Sequence, residues 1–237
     1  MTPDGIKILC TLGPATMNES MLSRLEGLGA NLFRINLSHT KAEDLPAIID
    51  FIRSHTSVPV CLDTEGAQVR TGQMSGGSVI VNEHHTLTAY AKPMAGTKDA
   101  FSFYPEHVVD SLAVGDFISI DFNSVLVQVI NKAPGVATLR VLNGGQMGSN
   151  KAVTVQRDIP LSPLTDKDRK ALAIGAEKGI ENIALSFANR AEDVDEIRAV
   201  FGKPAFVISK IECRNGLTNL EDIALKSDAI LIDRGDL

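Results

Sequence analysis

The stretch "FRINLSH" spaces Arg34, Asn36 and Ser38 two residues apart, and "SKIE" sets Lys210 two residues before Glu212. Alternate side chains of an extended strand share a face, so each set converges on one side of its strand. "LDTEG" adds Asp63, Thr64 and Glu65, and "LIDRGDL" adds Asp233 and Asp236. Glu212 and Asp236 are two hard oxygen donors of the kind that hold Mg²⁺ while substrate oxygens complete its shell. Lys210 beside them suits charge neutralisation on a phosphoryl group in transfer, and Arg34 offers a fork of donors to the same anion. Asn36, Ser38, Asp63 and the Thr64 carbonyl form an oxygen-only set suited to a monovalent cation.

Each of these residues also has a plainer use. Arg34 fits a salt bridge to Asp63 or Glu65, and Asn36 and Ser38 fit the capping of backbone groups at a strand end. Lys210 and Glu212 fit an ion pair at a rim, Arg-Gly-Asp fits a surface turn, and Cys213 reads as a bystander rather than a nucleophile. The functional reading rests on recurrence: one strand-like apolar run after another ends in polar or charged groups.

The elements that must carry these groups alternate. "IKILCTL" (6–12), "NLFRINL" (31–37) and "VPVCLD" (58–63) read as strands. Between them lie a helix capped by Asn18, with Met21, Leu22, Leu25 and Leu28 on one face, and a helix from Lys41 to about His55. Strand and helix in alternation with short loops imply parallel strands and right-handed crossovers. From about Thr71 to Arg157 the sequence turns rich in Gly, Thr, Val and Asn without helical periodicity, which predicts an all-β insertion. The alternation resumes at Thr165-x-x-Asp168, a capping box with Asp in place of Glu. It runs through "NIALSF", the helix "AEDVDEIRAVF", "AFVISKI", the helix "NGLTNLEDIAL" and "AILID". The predicted fold is α/β: an incomplete (β/α)8 barrel of six strand units, residues 1–70 and 158–237, with a β-rich lid, 71–157, after the third strand. The barrel portion is roughly 150 residues, short of the eight units and ~250 residues of a whole barrel, and catalytic groups of such folds sit at strand C-terminal ends.

Composition narrows the classes. At 237 residues, 44% hydrophobic and 22% charged, the chain is that of an ordinary soluble globular protein. The three cysteines are odd in number and widely spaced, which suits reduced thiols better than disulfides or a zinc site. A net charge of −6 without a basic stripe argues against nucleic acid or an acidic membrane as partner. No apolar stretch approaches the ~20 residues of a membrane span and Met-Thr-Pro-Asp is no signal peptide, so the expected location is the cytoplasm.

The same residues carry a family likeness. "KILCTLGPAT", "FRINLSHT", "LDTEGAQVRTG", "VGDFISID", "NGGQMGSNK", "LTDKDRKAL", "IALSFANRAEDV", "ISKIE" and "RGDL" resemble, in order, the segments of pyruvate kinases. The resemblance covers nearly the whole chain. It implies a glycolytic phosphotransferase acting between phosphoenolpyruvate/pyruvate and ADP/ATP, with Mg²⁺ (or Mn²⁺) and K⁺. It implies phosphate contacts from Arg34 and Arg70, a K⁺ site at Asn36, Ser38, Asp63 and Thr64, and Lys210 as the phosphoryl-stabilising lysine. It further implies Glu212 and Asp236 as Mg²⁺ ligands, the amides of Gly235 and Asp236 on the substrate carboxylate, and His39 and Arg70 near the nucleotide. The chain departs from the family at Glu65 (Lys there), Ala67 (Pro) and Gln68 (Glu), and at Cys213-Arg214-Asn215, where the family has Asn-Gln-Glu. The last two barrel strands and the C-terminal domain have no counterpart, so the expectation is a truncated or atypical form.

Two other readings compete. The Mg²⁺-plus-carboxylate set also suits a lyase or other enolate chemistry on phosphoenolpyruvate or pyruvate. An open barrel with two sheet edges also suits a non-catalytic binding or assembly module. Those edges predict a homo-oligomer or a covering partner chain.

Overall fold

The described residues of the computed structural model are 5–121 and 124–233. The first alternation gives β1 (Leu9–Leu12), α1 (Glu19–Gly27), β2 (Leu32–Asn36), α2 (Leu45–His55) and β3 (Val60–Asp63). There follow β4 (Val69–Thr71), β5 (Ser78–Val81), β6 (Thr86–Tyr90), β7 (Ala100–Tyr104) and the one-turn α3 (Val108–Ser111). Next come β8 (Phe117–Ile120), β9 (Val125–Ala133), β10 (Val136–Asn143), β11 (Gly145–Gly148) and β12 (Ala152–Val155). The alternation resumes with α4 (Asp166–Glu177), β13 (Asn182–Leu185), α5 (Ala191–Phe201) and β14 (Phe206–Ile211). It ends with α6 (Arg214–Thr218), α7 (Leu220–Lys226) and β15 (Ala229–Ile232). The chain divides into two compact units, Met1–Ala67 with Ser162–Leu237 and Gln68–Leu161.

In the first unit β1, β2, β3, β13, β14 and β15 pair in that order, every pair parallel, as a curled, incomplete barrel sheet. Side-chain alternation sorts its two faces. Phe33, Ile35 and Leu37 are buried together with Leu22, Ile49, Ile52, Leu172, Val194, Ile197 and Phe201 of the helices. On the other face Cys61, Ala184 and Ile208 form a smaller cluster with Leu9, Leu32, Ala229 and Leu231. Polar residues lie on that second face, one step further along each strand. In the second unit a barrel closes in the order β10, β6, β7, β4, β12, β8, β9, and β5 pairs with β11. Its core includes Leu87, Ile118, Ile120 and the edge-to-face pair Phe101 and Phe103, ring centroids 4.9 Å apart. Among the described residues no helix is long and apolar enough to cross a membrane.

Four local expectations need adjusting. Leu28 is not on the buried face of α1; it is the C-cap and 68% exposed. The second helix begins at Leu45, because Pro46 fits a first turn, where its missing N–H is no loss; Ala42–Asp44 is a separate 3₁₀ turn. "NGLTNLEDIAL" is two helices, broken at Asn219, whose side-chain amide donates to the Asn189 carbonyl at 2.8 Å. The β-rich stretch also contains α3.

One cap and one bridging carboxylate help fix the helix layer and can be tested by denaturation. Thr165 accepts from the Asp168 N–H and Asp168 accepts from the Thr165 N–H, both at 3.0 Å, closing the expected capping box. Thr165→Ala is expected to lower the free energy of unfolding by about 1 kcal/mol, read from the urea midpoint. Asp228 accepts from the Val207 N–H at 2.8 Å and from Arg198 at 2.7 Å, and these bonds hold its carboxyl below the usual carboxylate range. A depressed folded value means stability present above the unfolded pKa and lost as pH falls through the folded one. Asp228→Asn should therefore cost most at neutral pH and progressively less on acidification. Solvent screening of this partly exposed pair keeps the whole effect below about 1 kcal/mol.

Candidate active site

The register of the parallel sheet brings the charged strand ends together. Arg34 on β2 stands opposite Cys61, and Asn36 opposite Asp63 on β3; Asp63 is level with Ala184 on β13, two residues before Ser186. Lys210 lies near the end of β14 and Glu212 just past it. Asp63, Thr64, Ser186, Lys210 and Glu212 are all buried, Lys210 to 6% exposure. A buried ammonium is costly unless all its donors are matched. The Lys210 Nζ reaches Glu212 Oε1 at 2.9 Å, Ser186 Oγ at 3.0 Å and Asp63 Oδ1 at 3.3 Å. The Ser186 contact is a hydrogen bond, and the two carboxylates hold the ammonium as ion pairs.

Arg34 completes the cluster. Its Nε lies 3.6 Å from Asp63 Oδ2, too long for a hydrogen bond, and is buried without a hydrogen-bond partner among the described residues. Asp63 and Glu212 against Lys210 and Arg34 make two negative and two positive charges. Of the two partners weighed for Arg34, the pairing goes to Asp63. Glu65 instead binds Lys167 at 2.9 Å and accepts from the Thr165 hydroxyl at 3.2 Å.

The loop after β3 is tied down from α4. Asp168 accepts from the Glu65 N–H at 2.8 Å and the Gly66 N–H at 3.3 Å as well as from Thr165. Burial pushes its carboxyl up, against the pull of those hydrogen bonds. The tether fixes the Thr64–Gly66 backbone, while the Thr64 hydroxyl accepts from the Ser186 N–H at 3.0 Å. The Asn36 side chain accepts from the Ser38 N–H at 2.8 Å, turning the chain just past β2. Asn36, Ser38, Asp63 and Thr64 thus sit on neighbouring strand ends. His39 closes the 3₁₀ turn Leu37–His39 that follows Asn36 and is exposed.

Arg70 belongs to the second unit, on β4, and donates to the Asn150 carbonyl at 3.2 Å. Gly235 and Asp236 lie outside the described residues. Among the described residues no three His, Cys, Asp or Glu side chains converge to hold a metal ion. Glu212 is still chemically fitted to a hard cation, since it is a buried carboxylate and such oxygens are the ligands these ions take. Burial, with Asp63 adding to it, pushes the Cys61 thiol up to about 12. Cys213 caps α6, accepting from the Gly216 N–H at 3.4 Å.

Ser186, Phe187 and Asp168 are site residues that strand-end reasoning did not single out. Ser186 had a legible signal, lying two positions beyond inward-facing Ala184. Asp168 was visible only as a cap.

Comparison with known proteins identifies the family. Residues 4–237 match the family model described as "Pyruvate kinase, barrel domain". A pyruvate kinase of Staphylococcus epidermidis is 33% identical over 242 residues, covering 98% of this chain and 41% of the relative. Those of Methylorubrum extorquens and Chlamydia muridarum are 34% and 35% identical, each covering 98% of this chain and 50% of the relative. The chain spans half or less of the length of these curated relatives.

Proposed function

Because the chain belongs to the pyruvate kinase family, we propose that it serves phosphoryl transfer between phosphoenolpyruvate and ADP, with its chemistry at the Arg34–Asp63–Lys210–Glu212 cluster. The observation that carries this reading is the buried Lys210, held by Ser186 and two carboxylates, beside a buried Arg34 Nε that has no hydrogen-bond partner among the described residues. Both are cationic donors aimed into a site of low dielectric, where they act most strongly on an incoming anion.

In this scheme Arg34 and Lys210 grip the phosphoryl oxygens. The P–O bond of the enol phosphate breaks as a β-phosphate oxygen of ADP bonds to phosphorus in line, and the released enolate takes up a proton to give pyruvate. Glu212 with Asp236 would hold Mg²⁺ or Mn²⁺; Asn36, Ser38, Asp63 and the Thr64 carbonyl would hold K⁺. These ions supply positive charge against the phosphoryl and carboxylate groups. The protein's own four charges sum to zero, so a multiply charged anion enters favourably only with added cations. Arg70 and His39 would contact the nucleotide, and the Gly235 and Asp236 amides the substrate carboxylate.

A coupled assay decides the matter. The 237-residue chain, given phosphoenolpyruvate, ADP, Mg²⁺ and K⁺, should form pyruvate, and omission of either cation should depress the rate. A folded chain that binds Mn²⁺ yet forms no pyruvate would sink the reading for this chain. Nucleotide-independent exchange of pyruvate protons with solvent would point to enolate chemistry instead.

A further inference from the structure

The corner where β13 ends makes more site contacts than any role assigned so far explains. The Ser186 hydroxyl accepts from Lys210 Nζ at 3.0 Å and donates to Asp63 Oδ1 at 3.1 Å. The Ser186 N–H donates to the Thr64 hydroxyl at 3.0 Å, and the next amide, that of Phe187, donates to Glu212 Oε2 at 2.9 Å. Phe187 holds that amide in place with φ at +52°, a left-handed conformation uncommon for a bulky residue. Two successive residues thus touch Asp63 and Thr64, the residues assigned to the monovalent cation, and Lys210 and Glu212, assigned to phosphoryl group and divalent cation.

We propose that Ser186 is a positioning residue for Lys210 and that the Ser186–Phe187 corner couples the monovalent-cation site at Asp63 and Thr64 to the divalent-cation site at Glu212. A cation arriving at Asp63 competes with Lys210 for that carboxylate. The serine hydroxyl, with one proton given to Asp63 and one lone pair given to Lys210, constrains where the ammonium goes. The remaining direction is toward Glu212 and the phosphoryl group. Removing the hydroxyl leaves one ammonium donor unmatched and breaks the relay. The inference rests on the phosphotransferase reading for the identity of the ions.

The test uses the full chain with Mn²⁺ as probe, its binding followed by electron paramagnetic resonance in K⁺ or in tetramethylammonium. In the unaltered protein K⁺ should tighten Mn²⁺ several-fold. In Ser186→Ala that K⁺ effect should shrink toward onefold, while Mn²⁺ affinity without K⁺ changes less than about threefold. Loss of a hydrogen bond to a charged group should lower kcat about 10- to 100-fold with little change in KM for ADP. Ser186→Thr, which keeps the hydroxyl, should recover most of both, and Ser186→Cys serves if the alanine variant does not fold. An alanine variant with undiminished K⁺ effect and kcat overturns the proposal alone, as does an unaltered chain that binds Mn²⁺ indifferently to K⁺. An unaltered chain that binds no Mn²⁺ overturns the phosphotransferase reading, and the proposal falls with it.

Discussion

Lys210→Met is expected to destabilise the chain by about 3–5 kcal/mol at pH 7, the range for removing one partner of a buried ion pair. The size follows from what stays behind. Asp63 and Glu212 are 1% and 4% exposed, and they share the one ammonium. Without Lys210 the two buried carboxylates lose the ammonium they share, while Arg34 still lies 3.6 Å from Asp63. Methionine fills the volume, so the loss reports charge rather than a cavity. A double-mutant cycle separates the two: adding Glu212→Gln to Lys210→Met should recover part of the lost stability, although Glu212→Gln alone is destabilising. Urea denaturation of the four proteins gives the answer. A loss below about 1 kcal/mol for Lys210→Met would mean that water reaches the cluster freely. Under the proposed function the same variant loses pyruvate formation by at least about 100-fold, because a preorganised positive charge is missing where phosphoryl charge develops.

That cluster was legible in the sequence to an uneven degree. Lys210 and Glu212 could be placed on one face because strand alternation is strict and the apolar partners Val207 and Ile211 fall on the other. Phe33, Ile35 and Leu37 against Arg34 and Asn36 worked the same way, and so did the Thr165–Asp168 box. Contacts made across strands were not readable. The choice of Asp63 over Glu65 as partner of Arg34 depends on register, which sets Asn36 level with Asp63, and on Lys167 standing ready for Glu65. Asp168 was visible as a cap, but its second task needs the β3 loop to lie against the first turn of α4. Ser186 looks like any strand-end serine until the sheet sets it between Lys210 and Asp63. The split of the last helix pair turned on one long-range bond from Asn219, which no helical periodicity encodes. Periodicity is local and survives in the sequence; partner choice among several charged residues is a property of the assembled sheet.

Gly66→Ala should be the most damaging single-methyl addition in this unit, and a matched control tells why. Gly66 has φ at +72°, and a Cβ there would sit 2.3 Å from the Ser186 carbonyl oxygen and 2.8 Å from its carbon. Gly202 has φ at +69°, but a Cβ there would meet nothing within 4 Å. Left-handed backbone costs a non-glycine residue about 1–2 kcal/mol at either position. Only at Gly66 is a steric clash added, for which overpacking suggests about 1–3 kcal/mol more. The clash cannot be relieved cheaply. Asp168 holds the Glu65 and Gly66 N–H groups from one side, and on the other Ser186 is bonded through its amide to Thr64 and through its hydroxyl to Lys210 and Asp63. Whichever side yields, a bond to the cluster is stretched. Gly66→Ala is therefore expected to cost about 2–5 kcal/mol in urea denaturation and to depress pyruvate formation in whatever fraction remains folded. Gly202→Ala should cost about 1–2 kcal/mol and leave the folded fraction's rate unchanged. Equal losses for the two variants would show that the loop after β3 gives way easily, and with it the claim that Asp168 and Ser186 clamp the Thr64–Gly66 backbone in place.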